Sequence, residues 1–271
     1  MRYGFVITSG SPREVEEAGW DGAFYWDGVA IGPWDTYDPW VVMAAMALET
    51  EKIRIGAMLT PPARRRPWKL ARETMTLDHL SGGRLVLPVG LGAVDDGGFS
   101  KVGEATDRKV RARRLDESLE ILTGLWSGEP FSYEGEHYRM EEMTFLPRPV
   151  QRPRIPIWVV GAWPSKRSMN RALRYDGILA AAMGGSAEEP GVTPEVIGEM
   201  RGYVEANRKT DDGFDIVMEG QTAGDGPDTA ASTVRPFAEA GVTWWIESPW
   251  ALPGGPDGLS RRIGQGPPRA D

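Results

Sequence analysis

The 271-residue sequence contains no cysteine. Disulfides, thiolate metal sites and a cysteine nucleophile are thereby excluded, and a reducing cytosol suits such a composition. Histidine is scarce too, represented only by His79 and His137. No HExxH, GxSxG or histidine–carboxylate cluster occurs, so metal hydrolase and serine hydrolase chemistry lack their parts, and no metal site is expected. Long apolar runs are missing. The longest, Val41 to Leu48, falls well short of the roughly 20 residues that cross a bilayer. An excess of positive charge is missing as well: 31 Lys and Arg stand against 39 Asp and Glu, a net −8. A nucleic-acid binder normally shows a basic face. The opening MRYGFVITSG enters a strand directly, without the basic segment and apolar core of a signal peptide. The expectation is a cytoplasmic protein with a small-molecule substrate and neither nucleic-acid nor membrane partners.

Glycine (34) and tryptophan (11) are abundant instead. Most tryptophans serve a core, but Trp26, Trp34, Trp163 and Trp250 fall near loop ends, where an aromatic pocket wall would lie. The stretch Leu80 to Val94, LSGGRLVLPVGLGAV, reads as a helix end, a Gly-Gly break, a buried strand and a glycine-spaced loop. Gly82-Gly83 can close the helix in left-handed geometry. Arg84 to Val89 is apolar without alternation, as in a strand covered on both faces. Gly90 and Gly92 let the backbone turn tightly or approach a ligand.

That helix–strand–loop unit recurs. Strands are expected at Gly4 to Thr8, Gly22 to Trp26, Ile53 to Met58, Arg84 to Val89, Ile157 to Val160, Gly177 to Ala182, Phe214 to Glu219 and Val242 to Glu247. Helices fall at Pro12 to Ala18, Asp38 to Thr50, Pro67 to Leu80, Arg108 to Trp126, Ser165 to Tyr175, Pro194 to Arg208 and Asp228 to Ala240, with a stub at Leu259 to Ile263. Asp38-Pro39 is an N-cap followed by proline at the first helical position. A hairpin from Phe131 to Met140, turning at Glu134-Gly135, and the extended segment PRPVQRPRIP interrupt the rhythm between strands four and five. Eight alternating units with no low-complexity linker point to one domain, residues 1 to 271, built as a single (β/α)8 TIM barrel of the α/β class. A doubly wound open sheet is the alternative, although the first turn, SGSPRE, lacks the GxGxxG dinucleotide fingerprint.

Barrel active sites are assembled from the loops after the strands' carboxyl ends. After strand five, GAWPSKRSMNR places Ser165, Lys166, Arg167 and Ser168 at a helix N-terminus, where amides and the helix dipole favour an anion. A phosphate site is one reading and a serine N-cap with two solvated cations the other. The run from Gly220 to Gly226 is a rival cradle, weakened by acidic Asp225. Arg64-Arg65-Arg66 after strand three either holds an acidic ligand tail or forms a solvated helix start. Asp27, Glu219 and Glu247 end strands two, seven and eight, and Asp27 and Glu247 are the candidate acid–base groups. So few catalytic groups suit chemistry carried by an organic cofactor.

The series EEAGWDGAFYWD, DPWVVMAAMALETEKIRIGAMLTP, RRRPWKLARETMTLDHLSGGRLVLPVGLG and PRIPIWVVGAWPSKRSMNRALRYDG resembles the bacterial luciferase-like flavin-dependent oxidoreductases. The resemblance runs in order along most of the chain. It implies a barrel holding FMN or the deazaflavin coenzyme F420 in its mouth, and an FMNH2-dependent monooxygenase or an F420-dependent hydride-transfer enzyme. A flavin-binding protein without turnover is the alternative. It also implies a non-proline cis peptide behind the ring within Ala57-Met58-Leu59, a loop beside the ring at Gly90-Leu91-Gly92-Ala93, and a cofactor phosphate at Ser165 to Ser168, with Gly161 and Trp163 leading into that loop. Two positions depart from relatives: Gly28 stands where many carry histidine, and Ala93 where some carry glutamate or arginine. The short first helix suggests that a second copy covers the barrel there, as a homodimer. A flavin or F420 reductase would supply the reduced cofactor.

Overall fold

The computed structural model describes residues 1–32, 35–183, 191–210, 212–224, 226–249 and 255–269. Trp34, Trp250 and Asp225 therefore lie outside the described residues. The elements run β1 (Arg2–Val6), α1 (Pro12–Glu17), β2 (Gly22–Tyr25), α2 (Pro39–Glu49), β3 (Arg54–Ala57), α3 (Pro67–Leu80), β4 (Leu87–Val89) and α4 (Arg108–Trp126). The hairpin β5 (Phe131–Glu134) and β6 (Arg139–Met143) follows, then β7 (Ile157–Trp163), α5 (Lys166–Ala172), β8 (Gly177–Ala182), α6 (Pro194–Asn207), β9 (Asp215–Gly220), α7 (Pro227–Ala240), β10 (Trp244–Glu247) and α8 (Gly255–Gly264). The main sheet has the strand order β3-β2-β1-β10-β9-β8-β7-β4, and isolated parallel bridges Ile55↔Leu85 and Thr60↔Val89 join β3 to β4. Every step in that circular order links strands that neighbour in a (β/α)8 arrangement, so the doubly wound alternative falls away.

Contacts cluster into two compact units. The terminal unit holds Met1–Phe24, Lys52–Arg54 and the chain from Ile157 on; the central unit holds Tyr25–Glu51 and Ile55–Pro156. In the terminal unit, β1 pairs in parallel with β2 and β10, β9 with β10 and β8, and β8 with β7. Its core is aromatic. Trp158 and Trp244 sit 5.4 Å apart between ring centroids, with Phe24 edge-on to Trp244 at 6.2 Å. Gly4 and Gly22 make room for this cluster, because a Cβ at either would fall 2.6 or 2.8 Å from the Phe24 ring. Much of the tryptophan count is thus explained by core packing; Trp26, a candidate pocket residue, is also buried.

In the central unit, Gly82 and Gly83 take φ of +63° and +83° and end α3 as their sequence suggests. Regular β4 is shorter than the expected Arg84 to Val89. The Arg84 guanidinium gathers carbonyls from Ser81, Ala47 and Thr50, and the stretch before Leu87 meets β3 only through the bridge at Leu85. The hairpin turns over residues 135–138 rather than at Glu134-Gly135. Its turn amides at Glu136, His137 and Tyr138 all donate to the Glu117 carboxylate of α4. Helix α5 ends three residues early in tighter turn bonds from Arg174 and Tyr175, and α8 extends beyond the expected stub on both sides.

The proline-rich segment needs an anchor, since it has few ladder partners. Asp78, fully buried on α3, accepts the Val150 amide at 2.6 Å, the Gln151 amide at 3.1 Å and the Gln151 side chain at 2.7 Å. Removing that carboxylate strands buried donors, each worth about 1–3 kcal/mol. Asp78→Ala is therefore expected to lower stability by about 3 kcal/mol and Asp78→Asn by less, read from urea midpoints. An unchanged midpoint for Asp78→Ala would show that the segment is held elsewhere.

Candidate active site

The central unit gathers its site around Arg64. This side chain, 4% exposed, bridges two acidic groups: Nη1 donates to Asp96 Oδ2, and Nη2 donates to the Asp27 backbone carbonyl and to its carboxylate at 3.2 Å. Arg65 completes the hold on Asp27, giving Nε and Nη2 to its two oxygens at 3.1 and 2.7 Å. Asp96 in turn accepts the Gly98 amide, and its carbonyl accepts the Ala30 amide. Arg64 and Arg65 are thus engaged in ion pairs, while Arg66 alone is exposed at the start of α3. The paired arginines tie the loop after β2 to the loops after β3 and β4. Asp27, a candidate acid–base group, presents a carboxylate already engaged by two guanidinium groups. Its geometry is that of an anchor.

Phe99, fully buried, extends the same column. The Arg64 guanidinium lies 5.3 Å from its ring centroid and that of Arg111 5.1 Å. Such stacking of guanidinium on an aromatic face is attractive and directional. Arg111, reaching over from α4, donates to the carbonyls of Leu91 and Gly92, both at 2.8 Å. Burial lowers the Arg111 pKa, and the neighbouring Arg108 lowers it further. Gly92 has φ +74° and a Cβ there would meet Pro61 at 2.7 Å and Phe99 at 2.9 Å, so glycine is required for both conformation and space. Gly90 is buried and donates to the Thr60 carbonyl, while Ala93 and Val94 are exposed at the loop's tip. The peptide Met58–Leu59 is cis, within the Ala57-Met58-Leu59 segment where the resemblance places one. Beside it the Thr60 hydroxyl is buried with no hydrogen-bond partner. The buried hydroxyls of Ser118 and Ser248 share that condition.

The terminal unit carries the other candidates. Ser165 caps α5, its hydroxyl accepting from the Ser168 amide. The Ser168 hydroxyl donates to Val160 O and accepts from the Ala162 amide, both at 3.0 Å, so it braces the loop to β7. The amides of Lys166 and Arg167 open the helix, where no intrahelical acceptor exists, and both side chains are exposed. That donor set suits a phosphate. Gly161 serves packing, since a Cβ would lie 2.1 Å from Ile178. The Trp163 indole donates to Glu199 at 2.7 Å and packs edge-on against Tyr203, which turns it toward α6.

Glu247, 1% exposed, accepts the Thr222 amide at 2.6 Å, the Thr222 hydroxyl at 2.9 Å and the Trp245 indole at 3.1 Å, with Arg262 at 3.5 Å. Burial lowers the Arg262 pKa and the Glu247 charge opposes that. This second acid–base candidate is thus the clamp between α8 and the loop after β9. The rival phosphate cradle is occupied by that clamp: its Thr222 amide faces a carboxylate, and a Cβ at Gly224 would collide with Gln265 and Arg262. The Ser248 hydroxyl nearby is buried without a partner. Among the described residues no group of three or more His, Asp or Glu could hold a metal, and no helix is long and apolar enough to cross a membrane.

Residues 11–249 match the luciferase-like monooxygenase family. The chain belongs to that family. An F420-dependent glucose-6-phosphate dehydrogenase of Microbacterium testaceum is 31% identical over 244 residues, covering 81% of this chain and 67% of the relative. An FMNH2-dependent dimethylsulfone monooxygenase of Pseudomonas putida is 33% identical over 129 residues, 46% of this chain and 34% of the relative. Uncharacterised proteins of Mycobacterium tuberculosis are 34% identical over 159 residues, and the chain spans only about half (54%) of their length. Among solved structures, the monooxygenase RslO1 from Streptomyces bottropensis aligns with a TM-score of 0.78 at 21% identity, over 97% of this chain and 96% of that one, a likeness of fold.

Asp96, Phe99, Arg111 and Thr60 were not legible as site residues. Asp96 sits in an Asp/Gly-rich loop and Arg111 in a basic helix start, compositions that ordinarily mean solvent exposure.

Proposed function

We propose that the chain is a flavin-class oxidoreductase, an FMNH2-dependent monooxygenase or an F420-dependent hydride-transfer enzyme, acting on a small organic substrate. The observation that carries it is a loop cluster after β2, β3 and β4 held together by ion pairs, with its Asp27 carboxylate committed to two arginines. The carboxylates of Asp27 and Glu247 are engaged in ion pairs, leaving redox chemistry to an organic cofactor. When bound, that cofactor supplies the hydride or the activation of oxygen. In the central unit, Ala57, Met58, Leu59 and Gly90 to Ala93 would form the ring-side wall, with Arg111 holding the Leu91 and Gly92 carbonyls. In the terminal unit, the Lys166 and Arg167 amides and side chains with the Ser165 hydroxyl would receive the phosphate, Ser168 braces their loop to β7, and Gly161 and Trp163 shape the approach. The chain works in the cytoplasm with a reductase supplying reduced cofactor. It pairs as a homodimer: α1 spans only six residues, and α2 exposes Val41, Ala45 and Leu48 along one face.

The experiment is to supply reduced FMN under air, or F420 in either redox state, with a panel of small organic substrates, and to follow substrate-dependent consumption of cofactor. Consumption with one cofactor supports the reading; a cofactor that binds and is never consumed favours the non-catalytic flavin-binding alternative. Replacing Lys166 and Arg167 together by alanine is expected to weaken cofactor binding about tenfold, about 1.4 kcal/mol. Unchanged affinity would move the phosphate away from this loop.

A further inference from the structure

Two cavities adjoin in the central unit. The larger, of about 460 Å³, is walled by Asp27, Val29, Tyr37, Pro39, Arg65 and Val102, among others. The smaller, of about 130 Å³, is walled by Arg64, Arg65, Arg66, Arg114, His137 and Tyr138, with Ala63 and Glu104. Arg64, Arg65 and Glu104 border both.

The two differ in character. At the larger one, Val29 and Val102 are exposed (52% and 58%), as is Tyr37, an uncommon concentration of apolar surface at a rim. Its acidic neighbours are already engaged: Asp27 by Arg64 and Arg65, Asp38 by the Trp40 and Val41 amides, Glu104 by Arg114 at 2.8 Å. The smaller cavity brings four arginines together in a chain whose net charge is −8. Two have spare donors among the described residues. Arg65 uses Nε and Nη2 on Asp27, and its Nη1 makes no hydrogen bond, while the exposed Arg66 guanidinium makes none. His137 adds an independent sign: its Nε2 is buried with no hydrogen bond, 3.9 Å from Glu136 Oε1.

We infer that these cavities form one substrate pocket for an organic oxyanion with an apolar body, the body lying in the larger space and the charged head in the smaller. Arg65 is the shared wall, preorganised by Asp27 and by the Trp40 ring 5.7 Å from its guanidinium. A guanidinium so fixed gives a directional, charge-assisted contact without ordering a flexible side chain. A cavity of several hundred cubic ångströms matches small-ligand sites in size, and Val29, Tyr37, Pro39 and Val102 supply its apolar surface among charged neighbours. The ring-side wall proposed above belongs to the same unit, and this inference rests on that reading in naming the ligand a substrate.

The test uses phenylbutyrate as the probe and its uncharged amide as the control, with binding to the full chain followed by calorimetry. Phenylbutyrate is expected to bind saturably and about tenfold more tightly than the amide. Arg66→Gln and Val102→Glu alter exposed positions; Arg66→Gln is expected to weaken phenylbutyrate about threefold or more and leave the amide unchanged, with the difference shrinking at high salt, whereas Val102→Glu, on the wall of the body cavity, is expected to weaken both and the acid more. His137→Gln serves as a further probe of the head pocket, and inorganic phosphate as a head without a body is expected to compete weakly. Equal affinity for acid and amide, no saturable binding of the acid, or indifference to both Arg66→Gln and Val102→Glu would overturn the inference. FMN and F420 titrations run alongside separate the two ideas. A chain that binds the acid in this charge-dependent way but neither cofactor keeps the pocket and loses the oxidoreductase reading.

Discussion

Replacing Arg64 by leucine is expected to lower stability by about 3–5 kcal/mol, the cost of stripping the partner from buried charges. The side chain is 4% exposed, and the Asp27 and Asp96 carboxylates it bridges are 1% and 12% exposed. Without it, Asp96 loses its counter-ion and Asp27 keeps only Arg65. The loss extends beyond stability, because Arg64 and Arg111 flank Phe99, and Arg111 holds the Leu91 and Gly92 carbonyls. Displacing the loop after β4 by an ångström is expected to reduce turnover on the order of 100-fold. Arg64→Lys separates charge from geometry: an ammonium keeps the sign but lacks the fork that reaches two carboxylates in fixed directions. It is expected to recover part of the stability and little of the turnover. Urea midpoints with initial rates decide this. Wild-type rates in Arg64→Leu would remove the loop cluster from the site.

The second large effect is in the terminal unit. Glu247→Leu leaves Arg262, 5% exposed, without its carboxylate and leaves the Thr222 amide without an acceptor. A loss of about 3–5 kcal/mol is expected. The double variant Glu247→Leu with Arg262→Met removes both charges and is expected to recover more than half of that loss, since burying an ion pair gains little over a well-packed apolar pair. Rates of the double variant distinguish the two roles open to Glu247. As a clamp, it leaves turnover within about tenfold of wild type; as a general acid or base, its loss costs roughly 100- to 10,000-fold whatever becomes of Arg262.

The fold was legible because it rests on local signals repeated eight times. Asp38-Pro39 starts α2 with the carboxylate accepting the Trp40 and Val41 amides, and Gly82-Gly83 ends α3 with positive φ, both as the residue types require. The cis Met58–Leu59 peptide was legible only by family resemblance, since nothing in Ala-Met-Leu itself marks it. The site was read less completely, for one physical reason. A charged residue's burial depends on a partner distant in sequence, and Arg64 finds Asp27 and Asp96 at separations of 37 and 32 residues. Arg64-Arg65-Arg66 reads as three equivalent cations, yet the first is buried, the second half-buried and the third exposed. Asp27 and Glu247 were found as strand-end carboxylates, but spacing says nothing of the guanidinium groups that engage them. Ser165 to Ser168 was found as a helix start, and the structure adds that the Ser168 hydroxyl is spent on bracing β7.

The most direct test of the central reading is equilibrium titration of the full chain with FMN and, separately, with F420, following quenching of the cofactor's own fluorescence, in wild type and in the Lys166→Ala, Arg167→Ala double variant. The expected result is saturable binding of one of the two at one per chain, weakened about tenfold in the double variant. Absence of saturable binding for both cofactors would contradict it.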